Sequence, residues 1–271
     1  AFEIGAKKTI VFYLHGLRGH AFAQKAALQH MVKNVGVSMV SLELPGHGED
    51  SFVEHCMVPR FMRIVASIKH EVGLRSTEAD QVILMGYSFG GALMALAARE
   101  LDQDLDFQPK VSGFIGISTA FDVGHNVPRW QLGLANAIAP VSRFLFAKIR
   151  RLSRFLTIRE MNVELISPDL SVQEAIYQDE LVYKGRIPLN TSAQVYKAGL
   201  AAKAVMHKLE MPSLLLHSRD DAIAVAPRRD QFGPRVQLRL FKKLRHNCLD
   251  GLAREAVVSR KAITQFIADK L

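Results

Sequence analysis

At 271 residues the chain exceeds the commonest domain size of about 100–150 residues, and its 49% hydrophobic content excludes a disordered protein. Its 35 Lys and Arg against 26 Asp and Glu give a formal charge of +9; these residues are spread along the chain without a DNA- or RNA-reading motif, so no nucleic-acid partner is expected and an acidic lipid surface stays open. Only Cys56 and Cys248 occur, and no apolar run reaches the ~18–20 residues of a spanning helix, which excludes a disulfide scaffold and fits a cytoplasmic chain with at most peripheral membrane contact.

Thr9–Leu14 is a β-branched and aromatic run that ends at His15-Gly16. Phe22–Val35 follows with Ala26, Ala27, Met31 and Val32 at helical intervals. Val37–Leu44 is a second apolar run, ending at Pro45-Gly46, and Phe61–Val72 again has helical spacing. Gln81–Met85, closed by Gly86, is the third run; an Ala/Leu-rich segment over Phe89–Leu101 and a fourth run over Val111–Thr119 come next. Short, nearly continuous apolar runs suit parallel strands covered on both faces, and their alternation with helices predicts a doubly wound, mostly parallel α/β sheet. From Phe121 to about Met211 the pattern is mostly helical, divided by Pro128, Pro140, Pro168 and Pro188. Strand signals return at Ser213–Ser218 and Val236–Leu244, and Leu252–Ile267 fits a last helix. The expected organisation is a core in two parts, 1–121 and 212–271, with a helical cap inserted over 122–211.

Gly86-Tyr87-Ser88-Phe89-Gly90 joins the third strand directly to a helix. That setting, more than the five letters, places Ser88 on a sharp bend with its hydroxyl aimed out of the sheet as a candidate nucleophile. The helix N-terminus offers unpaired N–H groups where negative charge must develop. The Phe89 N–H is one candidate oxyanion donor, and the Leu17 N–H, in the loop after the first strand, is the second. His15 stands too early in the chain to be the base and reads as an imidazole bonded to its own loop.

A serine hydroxyl needs an imidazole to accept its proton and a carboxylate to orient that imidazole. Only His125, His207, His217 and His246 follow Ser88. His125 and His207 lie in or beside the cap, His217 inside a strand-like run, and His246 after the last strand, at the edge where α/β ligands bind. His246 is therefore the expected base. The acid lies at the end of the Ser213–Ser218 strand, where spacing leaves both Asp220 and Asp221 open.

His15-Gly16, Leu44-Pro45-Gly46-His47-Gly48, Gly86-Tyr87-Ser88-Phe89-Gly90-Gly91, Ser218-Arg219-Asp220-Asp221 and His246 together resemble the α/β-hydrolase superfamily. Within it the chain is most similar to the lysophospholipase/monoacylglycerol lipase branch, and Leu181–Arg186 resembles a stretch near the end of that branch's cap. The resemblance implies hydrolysis of carboxylic esters through an acyl-enzyme, without metal or organic cofactor. It also implies Asp221 as the acid, because the family places that residue in Gly-x-x-Asp. Ser218 and Arg245 stand where the family usually has glycine, and Glu43 where it has aspartate.

Between Trp130 and Leu156, Leu132, Ile138, Phe144 and Ile149 alternate with Arg143, Lys148, Arg150 and Arg154. Such a stretch suits either a greasy roof over Ser88 or contact with an anionic bilayer. Both favour an ester or lipid carrying an apolar acyl group. The competing functions are a hydrolase with the same three residues acting on a thioester, amide or carbon–carbon bond, and a non-catalytic fold that binds a ligand or membrane. Asn190-Thr191-Ser192 matches a glycosylation sequon by a pattern too short to carry weight, and Cys248 reads as loop packing.

Overall fold

The computed structural model describes residues 8–50, 55–58, 60–123, 157–158, 161–251 and 253–271. The basic apolar stretch from Trp130 to Leu156 lies outside the described residues. The strands in chain order are β1 (Thr9–Leu14), β2 (Ser38–Leu42), β3 (Gln81–Tyr87), β4 (Lys110–Ile117), the two-residue β5 (Thr157–Ile158) and β6 (Ile187–Pro188), β7 (Ser213–Ser218) and β8 (Val236–Phe241). Six of them form one sheet in the order β2-β1-β3-β4-β7-β8, with every neighbouring pair parallel. β5 and β6 pair antiparallel apart from it.

Alternation along the central strands feeds two cores. Ile10, Phe12 and Leu14 of β1, with Val82 and Leu84 of β3, pack on one face against α2 (Phe61–Arg75) and α3 (Phe89–Asp102). Val11, Tyr13, Ile83 and Met85 enter the other core with α1 (Lys25–Val35) and the C-terminal helix. All six residues of β1 are buried, which is why its run is apolar from Ile10 onward. The edge strands β2 and β8 are only partly covered and carry Ser, Gln and Arg among their apolar residues. β2 and β4 end short of their apolar runs: the chain turns at Pro45, and Ser118 takes a left-handed φ of 45°.

Between β4 and β7 the described chain contains α4 (Leu170–Gln178) and α5 (Leu189–Val205). α5 lies against the start of this segment so closely that a Cβ on Gly199 would sit 2.2 Å from the Ala120 carbonyl oxygen. Its Ala198 and Ala202 share the core cluster of α2 and α3. The sequon residues brace the loop after β2: Asn190 Nδ2–H donates to Val58 O at 2.8 Å and Thr191 Oγ1–H to Cys56 O at 2.8 Å. The last helix, α6 (Arg254–Ala268), buries Ala256, Ile263, Phe266 and Ile267. Cys56 and Cys248 are free and buried. Among the described residues, no helix is long and apolar enough to cross a membrane.

The chain runs from β1 outward to β2, then returns to continue from β3 on the other side. Loops leaving β1 and β3 therefore diverge and open a crevice at the carboxyl ends of those two strands, where ligands bind in sheets of this kind. Phe114, wholly buried in β4, tests the core beneath that crevice. Phe114→Ala is expected to lower unfolding free energy by about 3–5 kcal/mol, read from the urea midpoint; an unchanged midpoint would contradict the packing described.

Candidate active site

Ser88 follows β3 at φ 54° and ψ −119°, a backbone conformation that residues with a Cβ seldom adopt. A Cβ on Gly86 would lie 2.5 Å from the Gly90 carbonyl oxygen, and one on Gly90 2.2 Å from that of His15. Neither position accepts a side chain, so strand, bend and helix close tightly on one another. Ser88 N–H donates to Ile117 O at 2.9 Å, and Ser88 O accepts from Ala120 N–H at 3.0 Å, tying the bend to the end of β4.

His246 arrives from the loop between β8 and α6. Its Nε2 lies 2.8 Å from Ser88 Oγ and its Nδ1 2.7 Å from Asp221 Oδ2. Asp221 stands just beyond β7, and its Oδ1 accepts the backbone N–H of Ile223 at 2.8 Å and of Ala224 at 2.9 Å. Burial pushes its carboxyl up, but the charge of His246 and the hydrogen bonds from His217 and His246 outweigh burial and hold it well below the usual carboxylate range. Asp220, left open by spacing, is exposed. The structure thus brings Ser88, His246 and Asp221 together and leaves Asp220 outside.

One partner escaped sequence reasoning. His217 Nε2 lies 3.1 Å from Asp221 Oδ2 and 3.0 Å from Ala224 O, and two acceptors facing one ring nitrogen make that nitrogen the protonated one. The available signal was its place at the end of β7, four residues before Asp221. Cys248 Sγ lies 3.2 Å from Ser118 Oγ, and burial pushes its thiol up to about 12, as suits a packing role.

Ser88 and His246 open onto a cavity of about 520 Å³. Leu17 and Phe89 line it too, and no described residue accepts either backbone N–H. Its apolar wall includes Val123, Leu165, Ile176, Val182, Val195 and Ile223. His15 is bonded to its own surroundings: Nδ1–H donates to Gly16 O at 2.8 Å, while Nε2 meets Leu44 N–H at 3.1 Å and the Glu43 carboxylate.

Residues 5–251 match the family described as serine aminopeptidase, S33. The chain belongs to this family of serine hydrolases. It is 23% identical over 219 residues to a monoglyceride lipase homolog of Monkeypox virus, covering 80% of this chain and 72% of that protein. It is 25% identical over 223 residues to the monoglyceride lipase of Mus musculus, covering 81% and 67%. The crystal structure of Paleococcus ferrophilus monoacylglycerol lipase superimposes with a TM-score of 0.75 at 20% identity over 98% of both chains, which shows the shared α/β-hydrolase fold.

The chain's departures from the usual pattern have structural counterparts. Arg245, in place of a glycine, takes a φ of 48° with its guanidinium on Glu164 O. Ser218, in place of another, uses Oγ to accept Asp220 N–H at 3.3 Å. Glu43 still reaches His15.

His47, in the Pro-Gly-His-Gly turn, has its ring 5.5 Å from that of His15. Burial, with the charge of His15, lowers it from 6.5 to about 4 against a hydrogen bond to Pro45 O. The unfolded chain binds this proton more tightly, so the stability contributed by neutral His47 is full above 6.5 and is lost as pH falls toward about 4. His47→Gln is expected to flatten the fall in thermal midpoint across that window; parallel curves for variant and wild type would contradict it.

Proposed function

We propose that the protein is a serine ester hydrolase whose substrate carries an apolar acyl group. Ser88 is the nucleophile, His246 the base, Asp221 the orienting acid, and the Leu17 and Phe89 N–H groups the oxyanion donors. One observation carries this reading: the hydrogen-bonded line Asp221–His246–Ser88, with steps of 2.7 and 2.8 Å, opens into an apolar cavity.

In this reading His246 Nε2 takes the Ser88 proton as Oγ attacks the ester carbonyl, and Asp221 stabilises the imidazolium that forms. The carbonyl oxygen becomes an alkoxide between the Leu17 and Phe89 N–H groups. Collapse of that intermediate expels the alcohol, which receives its proton from His246. A water molecule then attacks the acyl-enzyme by the same proton route and frees the acid. Leu165, Ile176, Val182 and Val195 come from the segment between β4 and β7, so the cap proposed over 122–211 supplies much of the cavity's apolar wall. The relatives named monoglyceride lipases support a lipid-type ester.

An aminopeptidase needs an anion to hold the terminal ammonium of its substrate. Among the described residues lining the cavity, Asp250 is the one carboxyl group. Burial pushes its carboxyl up against the hydrogen bonds from Asn247 and Gln24 and the charge of Arg260, and Asn247 Nδ2–H donates to it at 2.8 Å. A carboxyl already engaged by these donors is a poor ammonium site, and the ester reading is preferred on that ground.

A fluorophosphonate is expected to label wild-type protein and not Ser88→Ala, and p-nitrophenyl esters with aliphatic acyl chains are expected to turn over. Labelling that persists in the variant, or no ester turnover at any chain length, would overturn the reading. Asp221→Asn is expected to lower turnover by about 10⁴ through loss of the working tautomer, while Asp220→Asn leaves it unchanged. The opposite ranking would move the acid by one residue.

A further inference from the structure

Gly16, Leu17, Arg18 and Gly19 form a turn closed by Gly19 N–H donating to Gly16 O at 3.2 Å. The same carbonyl accepts from His15 Nδ1–H at 2.8 Å. A trans peptide is planar with its N–H opposite its C=O, so fixing Gly16 O on one side directs the Leu17 N–H to the other. Gly16 lies against the nucleophile: a Cβ there would be 3.0 Å from Ser88 Cβ. Arg18, third residue of the turn, has φ 71°, where turns with a left-handed residue at this position favour Gly or Asn. The sequence of the turn therefore works against its own shape.

What opposes that tendency is the segment 179–183, far along the chain. Tyr183 N–H donates to Arg18 O at 2.9 Å. His20 Nε2 lies 2.7 Å from Asp179 Oδ2, and because Phe22 N–H donates to His20 Nδ1 at 3.3 Å, it is Nε2 that carries the proton and donates to Asp179. Asp179 is braced in turn: its N–H donates to Ala175 O at 3.1 Å, at the end of α4, and its Oδ1 accepts Leu181 N–H at 3.0 Å. Val182, between the two clamping residues, lines the cavity.

We propose that segment 179–183 clamps the turn that carries the Leu17 donor, with Asp179 as a positioning residue. This rests on the reading of the Leu17 N–H as an oxyanion donor. Without the Asp179 carboxylate, His20 loses its anchor, Arg18 relaxes out of the left-handed region, and the Gly16–Leu17 peptide turns away from Ser88. The cavity remains, so the loss falls on turnover more than on substrate binding.

Steady-state kinetics on a p-nitrophenyl ester, with the full chain, test the clamp. Asp179→Ala is expected to lower kcat about tenfold or more, part of the 10²–10³ that losing a whole oxyanion donor costs, with KM little changed. Asp179→Asn, whose amide oxygen still accepts from His20, keeps most of the activity. Adding Arg18→Gly to Asp179→Ala restores most of the lost kcat, because glycine adopts the left-handed region unaided; a general folding defect would not be repaired in this way. His20→Ala breaks the same bond from the loop side and is expected to show the same loss and rescue, so the test does not hang on the folding of one variant. Wild-type kcat in Asp179→Ala, or a loss that Arg18→Gly fails to restore, overturns the clamp. If Ser88→Ala is inactive while Asp179→Ala is unimpaired, the clamp alone falls; if Ser88→Ala stays active, the esterase reading falls first.

Discussion

Holding Ser88 at φ 54° costs about 1–3 kcal/mol for a residue with a Cβ, and the sheet supplies the contacts that keep it there. Its N–H is held by Ile117 O, at the end of β4, and its carbonyl by Ala120 N–H, just beyond that strand. A bare glycine at 90 lets the backbone at His15 pass close by, and one at 86 lets the start of the helix fold back on the strand. The strain is not confined to Ser88. Among the described residues, those other than glycine with positive φ are Arg18, Cys56, Ser88, Ser118 and Arg245, and each lies beyond the carboxyl end of a strand. Among the described residues the strain is gathered on one edge of the sheet, the edge that carries the cavity.

Distant parts of the chain meet at that edge. Ser88, the proposed nucleophile, comes from the end of β3, the turn that carries the proposed Leu17 donor from the end of β1, and Asp221 and His246, the proposed acid and base, from beyond the ends of β7 and β8. Parallel pairing puts all those ends on one rim. The segment between β4 and β7 then reaches back to both sides of the site. Leu165 O and Ile166 O accept His246 N–H at 3.4 Å and Asn247 N–H at 2.7 Å, while Tyr183 N–H donates to Arg18 O and Asp179 meets His20. That segment is thus joined to the His246 loop and to the loop after β1, as well as contributing residues to the cavity between them.

The sheet was legible in the sequence because its central strands are buried on both faces and so carry near-continuous apolar runs, as residues 10–14 and 82–85 do. The serine bend was legible because only glycine fits at 86 and 90. What was not legible depends on register or on long-range contact. Asp220 and Asp221 differ by one residue, and only the turn after β7 sends one to solvent and the other toward His246. His217 was set aside because it sits in a strand, yet that strand ends where its ring meets Asp221. The pairing of His20 with Asp179 joins residues with no local pattern linking them, and the left-handed Arg18 defies the residue preference from which a turn would be read.

His217 also bears on the charge balance of the proposed mechanism. Asp221 Oδ2 faces two imidazoles, His246 Nδ1 at 2.7 Å and His217 Nε2 at 3.1 Å, while Oδ1 is taken up by two backbone N–H groups. A carboxylate with four donors is fixed in its plane and stays ionised, so it cannot draw the proton from His246 when the serine is deprotonated. The positive charge then rests on the His246 ring, beside the oxyanion it has just helped to create. His217 gives its Nε2–H to both Asp221 and Ala224 O, which fixes the carboxylate without requiring a second positive charge. In the proposed mechanism the two histidines share an oxygen but divide the work, one moving the proton and the other keeping the acceptor still.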